Sequence, residues 1–122
     1  MTGTDPITTS VAHREDVVVL SVGGEIDLAT APSFEEAIAG VLADDPPALI
    51  IDLSGVTFLA SAGLQLLVAT HERIGESADF AVVAEGPATS RPIQLTHLDT
   101  IFALYSDLDD ALVAVRRRPR LV

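Results

Sequence analysis

Residues 49–69 read LIIDLSGVTFLASAGLQLLVA and join a buried strand to an amphipathic helix. Residues 49–53 form a short apolar run rich in β-branched side chains, which is typical of a strand buried on both faces of a parallel or mixed sheet. From Ser61 onward, apolar residues recur at three- and four-residue steps, which predicts a helix with one face packed on that sheet. Residues 54–60 are therefore predicted to form a loop at the carboxyl end of the strand, where open α/β sheets tend to place functional groups.

Ser61 lies where this helix is predicted to begin. Its hydroxyl could cap a free backbone N–H of the first turn, or it could stand exposed as a nucleophile. The helix dipole favours an anion at this position, so a phosphoryl group on the hydroxyl would be electrostatically tolerated. From spacing alone, capping is the commoner role of a serine at a helix start.

Composition limits the class of protein. With 122 residues, 48% of them hydrophobic, we expect one domain with a single core from about Ile7 to Val115, between flexible ends at 1–6 and 116–122. The absence of cysteine excludes disulfides and thiolate metal sites, and the three histidines share no metal-ligand spacing. No apolar segment is long enough to span a bilayer, so we expect a soluble, cytoplasmic protein that does not bind membranes.

The charge of the chain points to a protein partner. The net charge at pH 7 is −11, and all seven basic residues are arginines. Four of these arginines lie in the last seven positions, so residues 1–115 carry 18 acidic residues against three arginines, a net charge of −15. Such a surface repels nucleic acid and anionic membrane and favours a basic protein surface. It also disfavours self-association, and we expect a monomer or a weak dimer.

Hydrophobic periodicity and turn residues predict an α/β fold. The predicted order is β, β, α, β, α, β, α, β, α, which gives a four- to five-stranded mixed sheet with about four helices packed on it. The strands are predicted at 7–13, 17–22, 49–53, 80–84 and 100–104, and the helices begin near Pro32, Ser61, Arg91 and Ser106. Gly23 and Gly24 are expected to end or bulge the second strand. Thr30 and Ser106 are predicted to cap the first and last helices.

Two segments carry a family resemblance. Residues 52–64, DLSGVTFLASAGL, resemble the signature of the STAS domain, in particular that of the anti-sigma factor antagonists of bacterial partner-switching. Residues 24–32, GEIDLATAP, are similar to the other recurring stretch of that family, between the second strand and the first helix. The resemblance extends from about Ile7 to Val115 and implies the STAS fold.

The resemblance also implies a function. Members of the family bind an anti-sigma factor that is also a serine protein kinase, and thereby release the sigma factor to activate transcription. The kinase uses ATP to phosphorylate one serine of the antagonist, which then dissociates, and a serine phosphatase reverses the modification. By motif position, the phosphorylated serine is Ser61. The implied partner surface comprises Asp27, Thr30, Ser54, Thr57, Ala60, Ser61, Ala62 and Gly63.

One position departs from the family pattern, because Ala60 stands where an aspartate commonly precedes the serine. The acceptor remains in place, and the efficiency of its phosphorylation is left open. The alternative hypothesis is a STAS-like binding module that acts constitutively or on a small-ligand signal, with Ser61 only a cap. Other positions have structural alternatives: a solvated loop for Asp27, turn formation for Ser54 and Thr57, and backbone or packing needs for Gly55 and Gly63.

Catalysis, metal binding and a cofactor are not expected of this chain. A phosphoaspartate receiver would place its acceptor where Asp52 lies, but receivers resemble one another in having a lysine late in the sheet, and this sequence has no lysine. The same absence excludes a phosphate loop ending in Gly-Lys-Ser/Thr. A serine hydrolase would have a Gly-x-Ser-x-Gly elbow, whereas Leu59 and Gly63 stand two residues before and after Ser61.

Overall fold

The computed structural model of this protein describes residues 7–117, with side chains described as far as Val115. The predicted flexible ends, 1–6 and 116–122, lie outside the residues whose side chains are described. Within the described range the elements follow the predicted order, with one 3₁₀ turn in addition. They are β1 (Ile7–Arg14), β2 (Val17–Ile26), α1 (Ala31–Leu42), β3 (Ala48–Leu59), α2 (Ser61–Ile74), β4 (Asp79–Val83), α3 (Ser90–Leu95), the 3₁₀ turn (Leu98–Thr100), β5 (Ala103–Tyr105) and α4 (Leu108–Arg117).

Over this part of the chain the strands form one mixed sheet in the order β1-β2-β3-β4-β5. β1 and β2 form an antiparallel hairpin, and the other neighbouring strands run parallel. β3 is central, and Leu49, Ile50 and Ile51 have no exposed surface because helices cover both faces of the sheet there. The predicted α/β fold is therefore confirmed, including the central position of the 49–53 strand.

The two faces of the sheet are covered unequally. One face packs on α1, α2 and α3, which contribute the fully buried side chains of Phe34, Leu67 and Ile93. The other face packs on α4, through residues such as Ala111 and Leu112. β1 lies at one edge, where only Ile7 of its eight residues is buried. The structure therefore concentrates its apolar core under α1 and α2, the helices that flank the predicted site.

The central strand is longer than its apolar run predicts. β3 continues through residues 54–59, and β2 continues past the glycine pair to Ile26, so the predicted loop at 54–60 is wrong. Gly23 lies beside Gly55 at a shift in register, and a Cβ added to Gly55 would lie only 3.2 Å from the Gly23 Cα. Because neither residue has a side chain, the two strands stay paired through a bulge.

Two predicted boundaries near the carboxyl end are also wrong. β5 begins at Ala103, because the N–H groups of Thr100 and Ile101 bond to carbonyls three residues earlier and close the 3₁₀ turn. The cap of α4 is Asp107, whose Oδ1 accepts the N–H of Asp110 at 2.8 Å, and not the neighbouring serine. A carboxylate is as good an N-cap as a hydroxyl, so spacing alone does not distinguish two such neighbours.

Candidate functional site

The two segments that carry the family resemblance meet at the carboxyl end of the β2–β3 pair, which we call the functional edge. In the parallel register, Glu25 lies beside Phe58 and Ile26 beside Leu59. The backbone N–H of Ala60 donates to the carbonyl of Ile26 at 2.8 Å. This bond joins the start of α2 to the end of β2, so Ser61 and the loop after β2 share the functional edge.

Ser61 is the first residue of α2, and its side chain is exposed. Ala60 occupies the N-cap position in an extended conformation (φ −86°, ψ 172°), and its methyl group cannot accept a hydrogen bond. Backbone bonds from Gly63 and Leu64 to the Ala60 carbonyl, at 2.9 and 3.2 Å, close the first turn. Of the two roles open to Ser61, capping is therefore not the one observed. Among the described residues, its hydroxyl makes no hydrogen bond.

Gly63 allows the start of α2 to lie directly against the two strands. It is buried, and a Cβ at this position would lie 2.6 Å from Leu59 Cδ1 and 2.7 Å from Ile26 Cγ2. Both separations are far inside van der Waals contact, so a larger residue would push the helix start away from the strands. Gly63 therefore sets the position of Ser61. Close packing is one of the explanations that the sequence allows for this glycine, and the structure shows that packing.

The loop after β2 is held by a hydrogen-bond network centred on Asp27 and Thr30. Oδ1 of Asp27 accepts the backbone N–H groups of Ala29 at 2.9 Å and Thr30 at 3.0 Å, forming an Asx turn. The Thr30 hydroxyl accepts the N–H of Asp27 at 2.9 Å and donates to the carbonyl of Glu25 at 2.8 Å. Thr30 is 4% exposed, so much of this network is shielded from water and the loop has a defined shape. Thr30 occupies the N-cap position of α1 as predicted, but its hydroxyl makes no capping bond.

Ser54 and Thr57 are exposed residues of β3 and not turn residues. The hydroxyl and the N–H of Ser54 both donate to Oδ1 of Asp52, at 2.5 and 2.9 Å. The Thr57 hydroxyl donates to the carbonyl of Gly24 at 3.4 Å. Both side chains therefore lie on the solvent-exposed surface of the extended strand pair.

Two large apolar side chains are also exposed at the functional edge. Leu28, in the loop held by Asp27, is 82% exposed, and Phe58, next to Glu25 in register, is 51% exposed. Sequence reasoning missed both, because an isolated leucine and a phenylalanine within an apolar run resemble core residues. The available signal was the polar DLAT context of Leu28, which is typical of a turn. Large apolar side chains gathered at one edge are typical of a protein-binding surface.

An apolar groove of about 360 Å³ begins at Ser61 and follows α2. One side of the groove is formed by residues of α2 that are spaced three or four apart along the helix. The opposite side is formed by the segment after α3. The lining residues are Ser61, Leu64, Gln65, Val68, Ala69 and Glu72 on α2, with Thr96 and Leu98 opposite. α2 packs on the sheet through Leu67 and Ile74, and Leu64 and Val68 of the groove are partly buried against the same core, so only part of their apolar surface faces the groove.

Comparison with known proteins identifies the family. The family description "STAS domain" matches residues 8–111 of this chain. This chain belongs to the STAS domain family. It is 57% identical over 116 residues to the anti-sigma-F factor antagonist RsfB of Mycobacterium tuberculosis, which covers 95% of each chain. The crystal structure of an anti-sigma factor antagonist from Mycobacterium paratuberculosis is 58% identical with a TM-score of 0.89, covering 95% of this chain and 99% of that one.

A more distant relative is the anti-sigma-B factor antagonist of Staphylococcus aureus, 31% identical over 58 residues, or 48% of this chain and 54% of that protein. The resemblance seen in residues 24–32 and 52–64 is thus confirmed, as is the STAS fold that it implied. The named relatives are antagonists of anti-sigma factors and hence regulatory binding proteins. Within residues 7–117, no group of three or more His, Cys, Asp or Glu could hold a metal, and no helix is long and apolar enough to cross a membrane.

The STAS structure divides the predicted site residues into two groups. Asp27, Thr30 and Gly63 hold the shape of the functional edge through hydrogen bonds and close packing. The remaining predicted residues have exposed or partly exposed side chains: Ser54, Thr57, Ala60, Ser61 and Ala62. Sequence position alone does not separate these groups, because polar residues in a motif serve either purpose.

Replacing Gly63 tests how tightly α2 is packed at its start. We expect Gly63→Ala to lower the free energy of unfolding by about 1–3 kcal/mol, because the added methyl group overlaps Leu59 and Ile26. Gly40→Ala is the matched control, since Gly40 lies in α1 and a Cβ added there would meet nothing within 4 Å outside its own helix backbone. That control should raise the free energy by roughly 0.4–1 kcal/mol. Urea denaturation measures both, and equal effects would contradict the packing role of Gly63.

Replacing Thr30 tests the network that shapes the loop. We expect Thr30→Val to lower the free energy of unfolding by about 1–3 kcal/mol, because it leaves the Asp27 N–H and the Glu25 carbonyl without their buried partner. Thr57→Val, which removes an exposed hydroxyl, should change it by no more than about 0.5 kcal/mol. Thermal or urea unfolding of the two variants makes the comparison. A neutral Thr30→Val would show that the loop does not depend on this hydroxyl.

Proposed function

We propose that this protein is a cytoplasmic antagonist that binds an anti-sigma factor with serine kinase activity and so releases a sigma factor to activate transcription. In this proposal, the bound kinase phosphorylates Ser61, the complex dissociates, and a serine phosphatase restores the antagonist. The membership of the chain in the STAS family and its similarity to named antagonists support the choice of partner. The single observation that carries the switch is the exposed, uncommitted hydroxyl of Ser61 at the start of α2.

The fold of the antagonist itself tolerates a phosphate on Ser61. The modification removes no hydrogen bond within the described residues, and the first turn of α2 carries no acidic side chain to repel it. The free N–H groups and the dipole at the helix start favour a negative charge there. Phosphorylation is therefore expected to leave the structure intact, so its effect must fall on what the surface binds.

A partner docked over Ser61 would not tolerate the same phosphate. Transfer of the γ-phosphoryl group of ATP forms a bond from phosphorus to Ser61 Oγ, releases ADP, and adds about −1.5 to −2 charges. Ser61 also lines the apolar groove along α2. Burying a dianion against apolar surface carries a large desolvation cost, which the complex avoids by dissociating.

The exposed members of the predicted set form the proposed contact surface around Ser61. Asp27, Thr30 and Gly63 contribute by keeping that surface in shape. The strongly acidic composition of the chain favours a partner whose complementary surface is basic. Ala60 offers no carboxylate directly before the acceptor, so we expect the kinase to supply a carboxylate that assists the transfer.

Site-mapped mass spectrometry tests the modification. After incubation with a serine-kinase anti-sigma factor, Mg²⁺ and ATP, we expect one phosphate on Ser61 and none on Ser61→Ala. If the kinase binds but leaves Ser61 unmodified, the constitutive alternative is favoured. Ala60→Asp then tests whether the missing carboxylate is the reason.

A charge substitution tests the effect on binding. We expect Ser61→Glu to weaken binding to the anti-sigma factor by about 10- to 100-fold, because the carboxylate brings part of the phosphate's charge into the interface. Ser10→Glu is the matched control, since Ser10 is, like Ser61, an exposed serine, and it lies in β1 at the edge of the sheet. Isothermal titration calorimetry measures both affinities. Equal affinities of Ser61→Glu and the unmodified protein would contradict the proposed switch.

A further inference from the structure

Exposed apolar side chains are unevenly placed on this protein. Leu28 is 82% exposed, the highest value among the large apolar residues of the described chain. The others are Val11, Phe58, Leu95, Ile101 and Val113, at 42–67%. Leu28 and Phe58 are the two that lie in the segments joined at the functional edge, within three residues of the Ile26–Ala60 hydrogen bond. Their exposure has no explanation in the packing of the fold.

Leu28 is held in this position by a rigid loop. Oδ1 of Asp27 accepts the backbone N–H groups of the two residues that follow Leu28. The Thr30 hydroxyl bonds to the backbone of Glu25 and Asp27, before Leu28, and so joins the two ends of the loop. The loop therefore holds the backbone of a four-fifths exposed leucine in place. Because that backbone is already ordered, binding need not pay to order it when a partner buries the side chain, which favours an interface anchor.

Phe58 is fixed by the sheet. Its backbone pairs with Glu25 in the extended part of β3, while the neighbouring Val56 and Leu59 are buried. The aromatic ring thus belongs to a rigid strand and has half its surface in water. A buried phenylalanine contributes a large apolar area to an interface. Burying the exposed half of the Phe58 side chain against a partner therefore favours binding.

The charged residues of the two segments that carry Leu28 and Phe58 are all of one sign. Residues 24–30 and 52–62 contain three acidic residues, Glu25, Asp27 and Asp52, and no basic residue. Glu25 is exposed directly beside Phe58 in register. The complementary surface is therefore an apolar pocket with cationic side chains at its rim.

We propose that Leu28 and Phe58 are the apolar anchors that this protein inserts into a cation-rimmed pocket of its anti-sigma factor. This proposal rests on the proposed function, because it assigns the anchors to the same complex that the Ser61 phosphate disrupts. Both anchors lie in the segments that the Ile26–Ala60 hydrogen bond joins, and Ser61 directly follows Ala60, so the anchors and the hydroxyl belong to the same functional edge. A dianion on Ser61 keeps water at that place and opposes their burial.

Truncating the anchors tests this assignment. The probes are the anti-sigma-F factor of Mycobacterium tuberculosis, the protein that the 57% identical relative is named for antagonising, and the serine-kinase anti-sigma factors encoded in the same genome as this chain. We expect Leu28→Ala and Phe58→Ala each to weaken binding about thirtyfold, as is typical of interface hot spots. Val113→Ala, which shortens a half-exposed apolar residue of α4, should bind within about twofold of the unmodified protein.

Two measurements are needed. One distinguishes a binding anchor from a residue that stabilises the fold, and the other distinguishes a wrong anchor assignment from a wrong proposed function. The melting temperature of Leu28→Ala should match that of the unmodified protein, because the lost side chain is mostly in water. Suppose that the unmodified protein binds, that Ser61→Glu weakens this binding, and that both alanine variants bind with normal affinity. The assignment of the anchors is then wrong, and the proposed function stands. If the unmodified protein binds none of the probes, the anchors and the proposed function both fail.

Discussion

The functional edge depends on the pairing of β2 with β3 beyond the point where β4 ends. β3 pairs with β4 only from Ala48 to Asp52, but it pairs with β2 as far as Leu59. The extension requires a close approach of two backbones, which Gly23 and Gly55 permit because neither carries a side chain. It places the start of α2 and the loop after β2 beyond the rest of the parallel sheet, where one partner can contact both.

Hydrogen bonding at this edge separates residues that hold the structure from residues that remain available. A buried polar group without a partner costs about 1–3 kcal/mol, so the hydroxyl of Thr30 is fully engaged with the backbone. An exposed hydroxyl bonds to water at no such cost, and Ser61 can therefore stay uncommitted. The helix start does not need Ser61, because backbone bonds to the Ala60 carbonyl and the packing of Gly63 secure it.

The order of elements, the central strand and the position of Ser61 were predictable because they depend on local apolar periodicity and on two sequence segments. The length of β3 was not, because Ser54 and Gly55 favour a turn locally, and only the glycine opposite them on β2 keeps the strand paired. The structural role of Asp27 and the exposure of Leu28 were also missed. Both depend on how one loop folds back on itself, and a pattern of apolar and polar residues does not contain that information.

In the proposed switch, the signal is a change of affinity and not a change of shape. Ser61 gives up no intramolecular bond on modification, and the helix dipole compensates part of the new charge, so the free antagonist has no strong reason to rearrange. The whole penalty then falls on the complex, where apolar surface must be desolvated beside the phosphate. Because every 1.4 kcal/mol changes an affinity tenfold, a penalty of a few kcal/mol weakens the proposed complex by about a hundredfold or more.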